Sequence, residues 1–121
     1  MKRAIEGTPP VGAYSPGVLV DDRILYVSGQ GPLRDGQVVP GTIEEETRRT
    51  LENIRAILEE ARAGMGDVIR CGVYLADIGD FAAMNAEYER AFPRPLPART
   101  TIGASLPGIK VEIDCVALVP R

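Results

Sequence analysis

Alternating apolar and polar positions divide much of the chain into short segments that are typical of β-strands. These segments cover residues 17–21, 24–28, 67–77, 99–104 and 110–119. The first two are separated by the turn dipeptide Asp21-Asp22 and predict a hairpin, which Gly29-Gln30-Gly31-Pro32 ends.

Two further segments carry apolar residues at helical spacing. Thr42 and Glu45 form a capping box at the start of the first helix, and Gly64 is a natural stop. Its apolar residues are Leu51, Ile54, Ile57, Leu58 and Ala61. Asp80 is the expected N-cap of the second helix, and Pro93 ends it. The buried stripe of this helix is predicted to consist of Phe81, Met84, Tyr88 and Phe92.

The element order is β-β-α-β-α-β-β, which indicates an α+β fold with two helices on one face of a mixed sheet. We expect a single domain over residues 1–121. In the last strand the helix-facing residues are predicted to be Val111, Ile113, Cys115, Ala117 and Val119. The opposite face then carries Lys110, Glu112, Asp114, Val116 and Leu118. Because this face is half apolar, we expect other subunits to cover it.

Composition excludes several classes of function. The net charge of −3 gives nucleic acid no electrostatic reason to bind. The chain contains no His, so it offers neither a Ser-His-Asp triad nor a His-ligated metal. No segment has the length of a membrane span or the apolar stretch of a signal peptide. Cys71 and Cys115 lie in apolar runs and are expected to be buried free thiols, which indicates a reducing compartment and a cytoplasmic location.

The segment Pro97–Ile102 is the main candidate for chemistry. Pro97 fixes the approach, and Arg99 opens a predicted strand. A hairpin through Leu106-Pro107-Gly108 would place Arg99 and Glu112 on neighbouring strands, where a cation and a carboxylate can hold an anionic substrate and position a water. From residue type alone, a surface ion pair is the more common role for a residue such as Arg99, and a solvated or ion-paired strand position is the more common role for one such as Glu112.

Five short motifs, in order along essentially the whole chain, resemble the Rid (YjgF-type) family of imine deaminases. They are Gly12-Ala13-Tyr14-Ser15, Val27-Ser28-Gly29-Gln30, Asn85-Ala86-Glu87-Tyr88, Pro97-Ala98-Arg99-Thr100-Thr101 and Val111-Glu112-Ile113-Asp114. The resemblance implies a chorismate-mutase-like fold and a homotrimer with active sites in the clefts between subunits. The implied activity is hydrolysis of 2-imino acids to 2-keto acids and ammonia, without a metal or organic cofactor.

The resemblance also implies roles for individual residues. Arg99 corresponds to the arginine that binds the substrate carboxylate, and Thr101 to the residue whose backbone N–H also contacts it. Glu112 corresponds to the carboxylate that positions the hydrolytic water. Further pocket positions fall on Tyr14, Ser28 and Gly29, and Asn85 matches a supporting residue of a helix.

The chain departs from the family pattern near the expected pocket rim. Pro16 stands where Gln is common, and the stretches from Arg99 to Pro107 and from Pro107 to Glu112 are each one residue short. These departures motivate an alternative, a non-catalytic module that binds small 2-keto acids. RNA cleavage, attached to some family members, is disfavoured by the negative net charge and the absence of His.

Overall fold

A six-stranded sheet, a two-stranded hairpin and two helices form the computed structural model, which describes all 121 residues. The strands are β1 (Lys2–Ile5), β2 (Gly17–Val20), β3 (Ile24–Gln30), β4 (Leu33–Arg34), β5 (Gln37–Val38), β6 (Val68–Leu75), β7 (Ala98–Gly103) and β8 (Val111–Leu118). The helices are α1 (Ile43–Glu60) and α2 (Phe81–Ala91). The large sheet has the order β1-β2-β3-β8-β6-β7, in which only β6 and β7 run parallel. The predicted α+β class with a mixed sheet is therefore confirmed.

Both helices pack on one face of the sheet, where 23 buried apolar residues form the core. Val111, Ile113, Cys115 and Ala117 of β8 are at most 2 % exposed, as predicted for the helix-facing side. The opposite face carries the charged Glu112 and Asp114, while Tyr26, Ile102 and Leu118 expose 42–53 % of their surface. No helix combines the length and apolarity that crossing a membrane requires.

The predicted hairpin between the last two strands is wrong. β7 pairs in parallel with β6, since α2 supplies the crossover that a parallel pair needs. β8 pairs with β6 on one edge and β3 on the other. The strand with four fully buried side chains thus takes the centre of the sheet, and β7, which buries none, takes the edge. Arg99 and Glu112 therefore lie on strands that β6 separates.

The capping box of α1 is confirmed, but the predicted stop at Gly64 is wrong. The Thr42 hydroxyl accepts from the Glu45 N–H at 3.2 Å, and the Glu45 carboxylate accepts from the Thr42 N–H at 3.1 Å. The helix ends at Glu60, and Arg62 rather than a glycine adopts the left-handed conformation (φ 62°) that follows its last turn. Hydrogen bonds from Arg62 to Glu59 and from Ala63 to Leu58 complete this end in the Schellman pattern.

The start of α2 also differs from the prediction. Asp80 occupies the N-cap position, but its side chain makes no capping bond. The side chain of Asp77 instead accepts from the Gly79 N–H at 2.8 Å, which begins a short 3₁₀ turn that leads into α2. Met84, Tyr88 and Phe92 are buried as predicted, whereas Phe81 is 41 % exposed.

Lys110 does not lie on the open face of the sheet, contrary to the prediction. It precedes β8 and reaches Glu46 of α1, which is 1 % exposed. The Glu46 carboxylate accepts from the Lys110 N–H at 2.8 Å and from Nζ at 3.2 Å, and the Gly41 N–H adds a third donor at 3.3 Å. A buried carboxylate needs such donors, and this need draws Lys110 to the helix side.

Cys71 and Cys115 are buried and free, as predicted. The two residues are direct partners across β6 and β8, a proximity that their separation in sequence conceals.

Candidate active site

Arg99 is held by aromatic rings. It lies on edge strand β7 and points to the helix side, where its guanidinium carbon is 4.7 Å from the ring centre of Tyr88 and 5.4 Å from that of Phe81. The guanidinium forms no ion pair and no hydrogen bond within the chain. Its planar set of N–H donors is therefore free for an external anion.

Thr101 lies two residues along the same strand and on the same side. The Ala104 N–H donates to the Leu75 carbonyl of β6 at 2.9 Å. Because N–H groups of successive strand residues point to opposite edges, the N–H of Thr101 points to the open edge of the sheet. Arg99 and this N–H thus offer charged and neutral donors at one edge.

Glu112 lies on the other face of the sheet, at the centre of a second group of residues. Its side chain accepts no hydrogen bond from the chain and packs over Gly29, where a Cβ atom would lie 2.3 Å from Oε2. A glycine at this β3 position therefore allows the carboxylate to lie against the backbone. Burial raises the pKa of Glu112 above its ordinary value of 4.5, and the nearby charge of Asp114 raises it further.

A pocket of about 230 Å³ adjoins Glu112 and Gly29. Tyr14 lines it from the loop that precedes β2, together with apolar side chains. The apolar side chains in its lining include Val11, Leu33, Val38, Pro107 and Ile109. The arrangement places a partly buried carboxylate at the wall of a pocket of mixed polar and apolar lining, which suits a base that acts on water.

Ser28 fixes the loop that carries Tyr14. Its hydroxyl donates to the Ser15 carbonyl at 2.6 Å, and its N–H donates to the Pro16 carbonyl at 2.9 Å. Ser28 is not among the residues that line the pocket. The structure therefore gives its side chain a role in loop geometry, next to the irregularity of β3 between Val27 and Gln30.

One chain does not bring the two groups together. Arg99 and Thr101 face the helix side at the sheet edge, whereas Tyr14, Gly29 and Glu112 gather on the other face. Asn85 falls between Phe81 and Tyr88 on the same side of α2, and its side chain makes no hydrogen bond. Two separate half-sites result, one cationic and one acidic.

Sequence reasoning missed the contacts of Phe81 and Tyr88 with Arg99 and assigned both rings to the core. Tyr88 does belong to the core, at 3 % exposure. The available signal was the seven-residue spacing of the two aromatics, which aligns them on one side of a helix.

Comparison with known proteins settles the family. Residues 5–119 match the family model described as Endoribonuclease L-PSP. The chain belongs to this family, the Rid or YjgF family. The predicted membership is thus confirmed, and so is the YjgF-type fold.

Several members show how close the relationship is. The 2-iminobutanoate/2-iminopropanoate deaminase of Rattus norvegicus is 43 % identical over 112 residues, covering 89 % of this chain and 81 % of that protein. The mitochondrial protein mmf2 of Schizosaccharomyces pombe is 43 % identical over 99 residues, covering 78 % and 79 %. The crystal structure of Escherichia coli TdcF with bound serine has a TM-score of 0.89 at 30 % identity, covering 98 % of this chain and 99 % of that one.

Proposed function

We propose that the protein hydrolyses 2-imino acids to 2-keto acids and ammonia, at sites formed between the subunits of a homotrimer. The observation that carries the proposal is the pair of half-sites. An unpaired guanidinium at the edge of the sheet suits the substrate carboxylate, and a partly buried glutamate on the other face suits the attacking water. A cleft between two copies supplies both groups to one substrate.

The reaction then needs few groups. Arg99 and the Thr101 N–H bind the carboxylate and fix the imine carbon. Glu112 accepts a proton from a water molecule as the oxygen of that water bonds to the imine carbon, and the imine nitrogen takes up a proton from solvent. Glu112 then gives its proton to the amine of the carbinolamine. The C–N bond breaks to release ammonia, and the hydroxyl proton passes to solvent as the keto group forms. Because the imine carbon is itself electrophilic, the proposed reaction requires no metal or organic cofactor.

The relatives support this reading in different degrees. The rat protein is named for deamination of 2-iminobutanoate and 2-iminopropanoate. The family model carries the name of an endoribonuclease, but we do not propose that activity because the net charge is −3 and His is absent. We place the protein in the cytoplasm on the basis of its two free thiols, although mmf2 is described as mitochondrial.

The test is release of ammonia from 2-iminobutanoate or 2-iminopropanoate generated in situ by an amino-acid oxidase. We expect clear acceleration by the wild type and loss of at least about 100-fold in Arg99→Ala and Glu112→Gln. Arg94→Ala is the matched control, since Arg94 is exposed and pairs only with Glu89. A folded wild-type protein that does not exceed the rate in buffer would disprove the proposal.

A binding function is the second candidate. It is favoured by the buried Pro16, whose carbonyl holds Ser28, at a position where the family commonly has Gln. In that case 2-ketobutyrate binds in an Arg99-dependent manner while the imine assay shows no turnover. Calorimetry on the wild type and Arg99→Ala separates this outcome from catalysis.

A further inference from the structure

Phe81 is an apolar residue that the fold does not bury. It stands at the first position of α2 with 41 % of its surface exposed, whereas Met84 and Tyr88 of the same stripe are at most 3 % exposed. Its ring contacts the Arg99 guanidinium at 5.4 Å. Core packing accounts for the other two residues but leaves Phe81 unexplained.

Tyr88 completes the contact from the core side. Its ring lies 4.7 Å from the guanidinium carbon and packs against Phe92 at 4.6 Å between ring centres. The Tyr88 hydroxyl is buried and lies beside the Cys71 thiol. Tyr88 contacts Arg99 through its ring rather than its hydroxyl, and the surrounding core fixes its position.

Neighbouring arginines are held in another way. Arg90 pairs with Glu87 at 2.9 Å, and Arg94 pairs with Glu89 at 3.4 Å. A carboxylate partner occupies the N–H donors of a guanidinium and reduces its net charge. Aromatic rings attract the cation electrostatically but leave those donors and the charge available.

We propose that Phe81 and Tyr88 are positioning residues, which hold the Arg99 guanidinium in the orientation that receives the substrate carboxylate. This inference rests on the proposed function of Arg99 as the carboxylate anchor. Phe81 and Tyr88 form an aromatic cradle, fixed on one side by the core and open on the other. Phe81 is the exposed ring of the cradle, and Tyr88 is the buried one.

Phe81→Leu is the sharpest test, because the residue contributes little to the core. Its expected effect is a rise of about fivefold in the KM for 2-iminobutanoate and in the Kd for 2-ketobutyrate, with kcat within about twofold of the wild type. Tyr88→Phe keeps the ring and should change neither constant by more than about twofold. Ile78→Ala is the control, because Ile78 is 54 % exposed near the start of α2 and supplies no ring to Arg99.

A double-mutant cycle distinguishes positioning from a general structural effect. If Phe81 acts through Arg99, then Phe81→Leu has no further effect on 2-ketobutyrate binding in the Arg99→Ala background. An unchanged KM and Kd in Phe81→Leu would overturn the proposal, and so would an equal loss in both backgrounds.

Measuring both 2-ketobutyrate binding and imine turnover also separates this inference from the proposed function. Phe81-dependent binding of 2-ketobutyrate without turnover supports the cradle and overturns imine hydrolysis. Imine turnover that does not depend on Phe81 supports imine hydrolysis and overturns the cradle. A wild type that neither binds 2-ketobutyrate nor turns over imine overturns both.

Discussion

At the scale of single residues, Arg99 and Glu112 are both charged groups left without a partner of opposite charge. Two rings hold Arg99 through their faces, and Gly29 leaves room for Glu112 against the backbone. Burial of Glu112 raises its pKa and so makes it a stronger base when ionised. Each group is therefore available to interact with a molecule from outside the chain.

Gly29→Ala tests how closely the Glu112 carboxylate must be placed. The new Cβ would lie 2.3 Å from Oε2 and 2.9 Å from Cδ, so the carboxylate must move. Since only the end of a flexible side chain is displaced, the fold should tolerate the change. We expect a loss of about tenfold to 100-fold in kcat for imine hydrolysis, with a Tm within about 3 °C of the wild type.

The matched control for this change is Gly64→Ala. A Cβ at Gly64 has no neighbour closer than 4.0 Å, and its φ of −141° suits any residue. A wild-type kcat in Gly29→Ala would show that the carboxylate has no catalytic position there. A large fall in Tm would instead point to a packing defect.

The raised pKa of Glu112 gives a pH dependence with a definite sign. A base must be deprotonated, so kcat/KM should fall as the pH drops through the pKa of Glu112, which lies above 4.5. Asp114→Asn removes the nearby negative charge that contributes to this shift. We therefore expect the acidic inflection of kcat/KM to move to lower pH in Asp114→Asn, as measured with 2-iminobutanoate.

Tyr74→Phe is the control for that profile. The Tyr74 hydroxyl donates to the Asp114 carboxylate at 2.8 Å, so its removal disturbs Asp114 while leaving the charge in place. The acidic inflection should then not move to lower pH. If it stays at the wild-type value in Asp114→Asn as well, Asp114 does not influence the titration of the base.

Residue type and motif allow single site residues to be predicted from the sequence, but not the contacts between them. The buried thiols were predicted from their apolar context, and Arg99 and Glu112 were proposed as site residues from residue type and motif. The cradle was not found, because it depends on β7 lying beside α2, and only the strand order establishes that. Ser28 was expected in the pocket, but its bonds to the Tyr14 loop depend on a local irregularity of β3.

At the scale of elements, periodicity predicted both helices and five of the strands. It missed β1, which is as long as β2 but whose sequence Lys2-Arg3-Ala4-Ile5 has no apolar alternation, and the β4–β5 hairpin, whose strands have two residues each. The turn of that hairpin is Asp35-Gly36, and both residues have positive φ (52° and 77°). This dipeptide was a usable signal for a tight hairpin.

Strand partners were harder to predict than strands. A short connection between two strands favours a hairpin, and on that basis β7 and β8 were joined. The actual order depends on which strand has the most apolar surface to bury, and β8 is buried at every second position whereas β7 is not. Comparing the two strands as candidates for the centre of the sheet would have found the difference.

The contact between α1 and the segment before β8 provides a prediction at this scale. Glu46 accepts three hydrogen bonds and connects the helix to Lys110 and Gly41. Glu46→Ala should reduce the free energy of unfolding by about 2–4 kcal/mol, since it removes three hydrogen bonds to a buried carboxylate. Urea denaturation measures this loss. Glu44→Ala, an exposed position in the same turn, should change it by less than about 0.5 kcal/mol.

At the scale of the whole molecule, one face of the sheet has no helix over it. Tyr26, Ile102 and Leu118 expose apolar surface there, next to the charged Glu112 and Asp114. The sequence indicated this imbalance from the number of helices alone. A homotrimer that packs through this face would cover the apolar part and place the charged part at a subunit boundary, which is where we propose the site to be.

Complementation tests whether two chains share each proposed site. Arg99→Ala and Glu112→Gln should each be inactive alone. In trimers assembled from equal amounts of both, each cleft takes its arginine from one subunit and its glutamate from the next. Random assembly then restores both groups in about a quarter of the clefts, so about a quarter of the wild-type imine-hydrolysis rate should return.

The same experiment carries its own controls. The variants must be co-expressed or refolded together, and mixing them after assembly should restore activity only as fast as subunits exchange. Light scattering should give the mass of three 13.0 kDa chains for each variant and for the mixture. If co-assembled trimers stay at the background rate, the two groups do not act in a shared cleft. Because β6 separates them and they face opposite sides of the sheet, they would then not act together within one chain either.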